Sequence, residues 1–158
     1  VIPTTDLYDE HEGEVKTCAL QFRDFGGRDA FCGPVRTVAC FQDNVLFKSL
    51  LSEPGAGGVI VVDGRGSTAC ALMGDMLAAM GAANGWSGVI IHGAIRDSRE
   101  IAAIDIGVKA LGVNPAKSIK QGDGTIDTPV EFGGVHFAPG MWVYCDEDGV
   151  LVAPGGEL

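Results

Sequence analysis

Apolar residues along this chain switch between two periods, and the switches divide it into elements. Residues 59–62 (Val-Ile-Val-Val) and 89–91 (Val-Ile-Ile) are uninterrupted β-branched runs bounded by glycines. That is the pattern of strands buried on both faces of a parallel sheet. Between them residues 76–84 are good helix formers closed by Gly85, with Asp75 placed to cap the start. The three segments predict a β-α-β unit. Residues 67–73 could extend the helix backwards or add a strand, and the Gly74-Asp75 start signal favours the shorter helix.

Upstream, Thr4-Thr5-Asp6 precede a short helix whose solvated face takes the acidic run at 9–14. Residues 33–40 read as a strand entered through a Gly-Pro turn. Asp43-Asn44 then cap a helix with Leu46, Phe47, Leu50 and Leu51 at helical spacing, ended by Pro54-Gly55. Beyond the central unit, residues 98–104 predict a short helix and 107–113 another apolar strand. The C-terminal third reads as hairpin units, with strands at 135–137, 141–145 and 150–152 and turns at Pro139-Gly140 and Asp148-Gly149. The 158 residues contain no linker or internal repeat and fit one domain over 1–158. The class is α/β, with a mixed, partly parallel sheet and more strand than a doubly wound fold needs.

Composition narrows the functions open to such a fold. The 24 glycines have no fixed period, which points to tight turns and close backbone approaches. A net charge of -10, from 21 acidic against 11 basic residues, repels phosphate backbones and disfavours direct nucleic-acid binding. It leaves room for a metal site or a basic protein partner. Five cysteines (Cys18, Cys32, Cys40, Cys70 and Cys145) are odd in number, widely spaced and free of CxxC pairs. They read as reduced core residues of a cytoplasmic protein, not as a disulfide framework or a zinc site. The apolar runs are too short to span a bilayer, so no membrane association is expected.

In parallel sheets ligands bind beyond the carboxyl ends of the strands, and these ends lead here into residues 63–67 and 93–97. Both loops can face one crevice. Asp75 can approach it from the helix start, beside the free amides of Met76 and Leu77, which suit an anion. Taken singly, each feature has an ordinary reading: Asp75 as a cap, Arg96-Asp97 as a surface ion pair. Gly64-x-Gly66 lacks the third glycine of a dinucleotide fingerprint and the ending of a P-loop. His92 fits a packed strand-end residue, and His11 and His136 have no ligand-spaced neighbours.

Together, Asp75, twenty intervening residues and Arg96-Asp97 form a D-x20-R-D pattern. With residues 25–28 (Phe-Gly-Gly-Arg), 40–44, 61–64, 85–88, 105–107, 132–135 and 146–150, the chain resembles the RraA-like family over nearly its whole length. The resemblance implies a three-layer β/β/α fold of the swivelling type and a homo-oligomer, a trimer or hexamer. Because the motif is complete, it also implies a carbon-carbon lyase: a class II pyruvate aldolase of the 4-hydroxy-4-methyl-2-oxoglutarate type that also decarboxylates oxaloacetate. The alternative within the family is a non-catalytic regulator that binds and inhibits RNase E or a related RNA-processing protein. By resemblance, Asp97 holds Mg²⁺ or Mn²⁺ and Asp75 hydrogen-bonds metal-bound water. Arg96 and the Met76 and Leu77 amides, beside Gly74, bind the carboxylate of a small 2-oxo acid. Longer aldolases of the family draw another carboxylate from a neighbouring subunit, and no matching acid can be assigned here. A methyltransferase reading would need a cofactor loop that residues 63–67 do not provide.

Overall fold

The computed structural model describes residues 2–158. The chain runs through α1 (Thr4–Glu10), β1 (Lys16–Thr17), β2 (Arg23–Asp24), β3 (Phe31–Ala39), α2 (Val45–Leu51) and β4 (Val59–Asp63). It continues with β5 (Ala71–Met73), α3 (Asp75–Ala83), β6 (Gly88–Ile95), α4 (Ser98–Ile101) and β7 (Gly107–Val113). The remainder is strand: β8 (Thr125–Ile126), β9 (Val130–Phe132), β10 (Val135–Phe137), β11 (Trp142–Asp146) and β12 (Gly149–Ala153).

The β-branched runs lie side by side. β3, β4, β6 and β7 are parallel neighbours, and β5 adds in parallel to the far end of β6. β3 is long enough for two sets of partners. Residues 31–34 pair antiparallel with β11, and residues 35–39 pair with β4, so the sheet continues through β11 and β12 to β1.

Period-2 alternation then sorts the side chains into two cores. Ile60, Val62, Val89 and Ile91 meet Phe47 and Leu50 of α2 and Leu77 of α3. Val59, Val61 and Ile90 turn the other way, against Phe132, Phe137, Val143 and Val152. Helices, central sheet and a second strand layer thus give the expected β/β/α order. Each fully buried Val or Ile contributes about 1.5 to 3 kcal/mol, so a polar residue at Ile90, wholly buried in the central strand, would disrupt the second core. Phe31 is seated over the starts of β6 and β7, where a Cβ on Gly88 or Gly107 would overlap its ring.

Several boundaries differ from those the sequence predicts, each for a local reason. Of the two readings left open for residues 67–73, the strand forms, over 71–73, because β6 runs on to Ile95 and leaves an edge open, where Ala71 pairs with Ala94 and Met73 with Ile95. Gly93, Ala94 and Ile95 are therefore strand, not loop. Gly74 takes the N-cap position of α3, making Asp75 the first helical residue instead of the cap. No hairpin forms across Pro139-Gly140. β10 pairs with β9 through Gly133 and Gly134 (φ 62° and 79°), and β11 is held between β12 and β3. α4 stops at Ile101 instead of continuing to residue 104. Among the described residues no helix is long and apolar enough to cross a membrane.

Candidate functional site

The register of β5 against β6 builds the site. Met73 lies opposite Ile95, and Arg96 N donates to Met73 O at 2.9 Å. The next residues after each strand, Gly74-Asp75 and Arg96-Asp97, consequently emerge together at the carboxyl end of the sheet. Asp97 sits in the left-handed region (φ 57°, ψ 40°), which aspartate tolerates better than most residues. Its carboxylate turns back across the gap, and Oδ2 accepts the Asp75 amide at 3.0 Å. An acid twenty-two residues away thereby supplies the cap that Gly74, without a side chain, cannot. Gly74 is needed for space: a Cβ there would lie 2.6 Å from Asp97 Oδ2 and 3.4 Å from Arg96 Nε.

The next amides of α3 remain open. The backbone bonds of the helix begin with Ala78 N donating to Gly74 O at 3.1 Å. Met76 and Leu77 amides meet no acceptor among the described residues, and they carry the partial positive charge of a helix start.

A cavity of about 430 Å³ opens at this junction, lined by Gly74, Asp75, Met76, Leu77, Arg96 and Asp97. The rest of its lining includes Asn44 and Lys48 from the α2 region and Lys117, Ser118 and Lys120 from the segment after β7. All these residues follow the carboxyl ends of parallel strands. A second space of about 290 Å³ adjoins Arg96 and Asp97 along Asn114 and Pro115.

The cations of the cavity are unpaired. Ion pairs among the described residues use Arg28, Arg36, Lys109 and the three histidines, and none uses Arg96, Lys48, Lys117 or Lys120. Among the described residues Arg96 makes one side-chain hydrogen bond, Nη1 donating to Pro115 O at 3.4 Å. The surface ion pair expected as the ordinary reading of Arg96-Asp97 is therefore not formed.

The sequence marks Asn44 as a helix cap and as part of the 40–44 stretch that carries the family resemblance, and it assigns no role to Lys48, Lys117, Ser118 or Lys120. Asn44 occupies the N-cap position of α2 but makes no capping bond. It is buried, and Nδ2 donates to Leu72 O at 3.0 Å while Oδ1 accepts Lys120 Nζ at 2.9 Å. Ser118 Oγ takes a second bond from Lys120 Nζ at 3.2 Å. The neighbouring Asp43, 2% exposed, clamps this loop. Its Oδ2 accepts the amides of Gln121 and Gly122 at 2.9 Å and of Asp123 at 3.3 Å, and Oδ1 accepts that of Val45 at 3.1 Å. Burial pushes the Asp43 carboxyl up, but these amide bonds outweigh it and hold the group below its ordinary 3.8. The signal for this arrangement in the sequence is the Asp43-Asn44 pair within the 40–44 stretch.

The 63–67 loop does not line the cavity. Gly64 and Gly66 amides both donate to His92 O at 3.1 Å. His92 itself is packed, with Nδ1 3.0 Å from Asp63 Oδ1 and its ring stacked on Phe132 at 4.7 Å.

The cavity's acidic donors are the oxygens of Asp75 and Asp97, and no cluster of three His, Cys, Asp or Glu side chains suited to a metal occurs among the described residues. Such a pair fits a hard divalent ion that keeps several waters, and it does not fit a closed cage of protein ligands.

Comparison with known proteins places this arrangement. A protein of Geobacillus kaustophilus HTA426, described as an S-adenosylmethionine:2-dimethylmenaquinone methyltransferase, is 49% identical with a TM-score of 0.97, over 99% of this chain and 97% of its own. The RNA-processing inhibitor RraA of Thermus thermophilus is 43% identical with a TM-score of 0.96, over 100% and 96% of the two chains. RraAS2 of Streptomyces coelicolor, described as an unusual member of the RNase ES inhibitor RraA family, is 27% identical with a TM-score of 0.81, over 98% and 82%. The profile of the RraA-like (Aldolase/RraA) family matches residues 4–152, and the chain belongs to that family.

Proposed function

We propose that this chain is a divalent-metal-dependent lyase, a class II pyruvate aldolase of the 4-hydroxy-4-methyl-2-oxoglutarate type that also decarboxylates oxaloacetate. One observation carries the reading: an unpaired guanidinium, two open helix amides and two carboxylates line one cavity. A pyruvyl group presents the complementary set of a carboxylate and an adjacent keto oxygen.

In this reading Arg96 and the Met76 and Leu77 amides bind the substrate carboxylate, the guanidinium as a planar fork. Asp97 would hold Mg²⁺ or Mn²⁺, and the ion would supply Lewis-acid polarisation of the 2-oxo group. Asp97 also accepts the Asp75 amide, which fixes the helix start and orients the amides beside it. In the aldol cleavage the 4-hydroxyl gives up its proton and the C3–C4 bond breaks, its electron pair passing into the pyruvate enolate. Arg96 stabilises the charge that develops there. The Asp75 carboxylate moves the proton through water from the hydroxyl oxygen to C3, which becomes the methyl group of pyruvate. Decarboxylation of oxaloacetate uses the same enolate, with CO₂ as the other product.

The test is coupled pyruvate release from oxaloacetate and from 4-hydroxy-4-methyl-2-oxoglutarate, with Mg²⁺ and after chelation. Turnover that needs the ion is expected. Unchanged pyruvate release after verified metal removal would refute the mechanism.

A second reading is favoured by the Thermus relative, whose description is that of an RNA-processing inhibitor, and by the net charge of -10. Here the acidic surface binds a basic segment of a ribonuclease, with salt-sensitive affinity and weak binding to free RNA. Calorimetry at low salt that detected RNA binding but no ribonuclease binding would sink it. For a methyltransferase, in contrast, the 63–67 loop is a poor cofactor cradle. A Cβ on Gly64 would lie 2.8 Å from Leu72 Cδ1 and 2.9 Å from His92 O, so this glycine faces packed protein.

A further inference from the structure

The segment that leaves β7 is fastened to the site by one half-buried side chain, that of Asn114. Its backbone N donates to Ile95 O at 3.0 Å, Nδ2 donates to Thr68 O at 2.8 Å, and Oδ1 accepts the Ala116 amide at 2.9 Å. It thus joins the end of β6, the loop before β5 and its own turn. An amide side chain suits this task because it presents a donor and an acceptor at once. Ala116 O accepts the Ala71 amide at 2.8 Å, which ties the far side of the turn to β5.

Inside the turn sits Pro115. Its ring fixes its own φ and pushes Asn114 towards extended backbone, and the bond from Ala116 N back to Asn114 Oδ1 closes the turn around it. With both flanks held, the direction of the Pro115 carbonyl is set. That carbonyl accepts Arg96 Nη1 at 3.4 Å, the one side-chain hydrogen bond of Arg96 among the described residues.

Arg96 needs a guide because it adjoins two spaces, the 430 Å³ cavity at the start of α3 and the 290 Å³ space along Asn114 and Pro115. An unheld arginine samples many rotamers, and ordering it opposes binding. The Pro115 bond engages Nη1, on the Cδ side of the guanidinium, and leaves the Nε–Nη2 edge, the fork that takes a carboxylate side-on. Nε lies towards α3, since a Cβ on Gly74 would be 3.4 Å from it. At its length the Pro115 bond is weak, so it directs the guanidinium without competing for the charge of a ligand.

We propose that Asn114 is a positioning residue for the reaction, acting through Pro115 O to keep the Arg96 fork turned to the open amides of α3. This assignment rests on the pyruvyl reading above, in which that fork and those amides hold one carboxylate.

The experiment is a double-mutant cycle on pyruvate release from oxaloacetate at saturating Mg²⁺, with wild type, Asn114→Ala, Arg96→Lys and the double variant. Asn114→Ala should lower kcat/KM by about fivefold to fiftyfold, the scale of a misplaced binding group. In the Arg96→Lys background, which has no fork to orient, the same change should cost no more than about twofold. The Mg²⁺ concentration for half-maximal activity should stay the same, because the Asp97 contact to the Asp75 amide does not involve Asn114. Melting temperatures control for folding. If Asn114→Ala does not fold, Asn114→Ser takes its place in the cycle, since its hydroxyl keeps an uncharged acceptor near the Ala116 amide while giving up the Thr68 bond. Unchanged kcat/KM, or equal losses in the two backgrounds, overturns the positioning role. If wild type is active and Arg96→Lys impaired while the cycle is additive, only Asn114 drops out. If wild type releases no pyruvate, or Arg96→Lys turns over like wild type, the pyruvyl reading falls and the positioning role with it.

Discussion

Between β7, β2 and β11, Lys109 is 2% exposed, and both of its bonds end inside the protein, on Asp24 Oδ1 at 2.8 Å and Asp146 O at 2.7 Å. Asp146 is bound in turn. Burial raises its carboxyl, but bonds from the Thr4 amide and hydroxyl and from the Asp148 amide, with the Lys109 charge, bring it below the ordinary value. At the carboxyl end of the parallel strands, Lys120 and Arg96 meet only neutral acceptors among the described residues. Cations of the same chain are thus closed off by carboxylate in one region and left open onto a cavity in the other. The difference separates charge that fastens α1 and β2 to the sheet from charge available to a ligand.

The largest expected effect breaks the open region. Arg96→Lys keeps the charge and loses the planar fork, so kcat/KM for oxaloacetate should fall by about 2 to 4 kcal/mol, on the order of 30-fold to 1000-fold. The melting temperature should stay put, because Arg96 makes no ion pair among the described residues. A folded variant with wild-type turnover would remove Arg96 from the mechanism.

Lys109→Met should show the reverse. It leaves Asp24 without its partner, and since Asp24 retains some contact with water the loss should be about 1 to 3 kcal/mol. Urea denaturation at pH 7 reads that loss, while KM in the folded protein should not move. A shift in KM without a loss of stability would erase the contrast between the two regions.

A smaller and mixed effect is expected at their shared logic, the fit of Gly74 under Asp97. The methyl group of Gly74→Ala would fall 2.6 Å from Asp97 Oδ2, forcing the carboxylate aside at a cost of about 1 to 2 kcal/mol. The Mg²⁺ concentration needed for half-maximal activity should rise. An unchanged value would show that Asp97 does not depend on this packing.

The smallest effect is read against pH. The folded Asp43 carboxyl lies below its ordinary 3.8, so its contribution is fully present above that value and disappears as pH falls through the folded pKa. Asp43→Asn should therefore be less stable than wild type, by about 1 kcal/mol, at pH 5 to 7. The gap should narrow below about pH 4. A gap that widened in acid would contradict the clamp.

The central β-α-β unit is legible in the sequence because both faces of β4 and β6 are buried, which leaves continuous apolar runs, and because Gly85 stops the helix. β5 is not. Three residues, Ala71, Leu72 and Met73, are too few to show a period, and the strand exists only because β6 overhangs its neighbour. The two-residue β1, β2 and β8 are likewise held by their partners and not by propensity. Asp75, Arg96 and Asp97 can be found by motif, since the Met73–Ile95 register turns a fixed spacing into proximity. The Lys120–Asn44 bond joins residues 76 apart, through a loop whose position depends on the Asp43 carboxylate, and no local pattern announces it.

In the proposed function the open cavity stabilises the enolate of a pyruvyl group. Proton NMR of pyruvate in deuterium oxide measures this directly, because reversible enolate formation replaces the methyl protons with deuterium without any second substrate. With Mg²⁺ or Mn²⁺ the wild-type protein should erode the methyl signal well above the protein-free control, and chelation, Asp75→Asn or Arg96→Lys should each bring the rate back towards it. A wild-type rate equal to the control at saturating metal, or exchange that survives Arg96→Lys undiminished, would contradict the account.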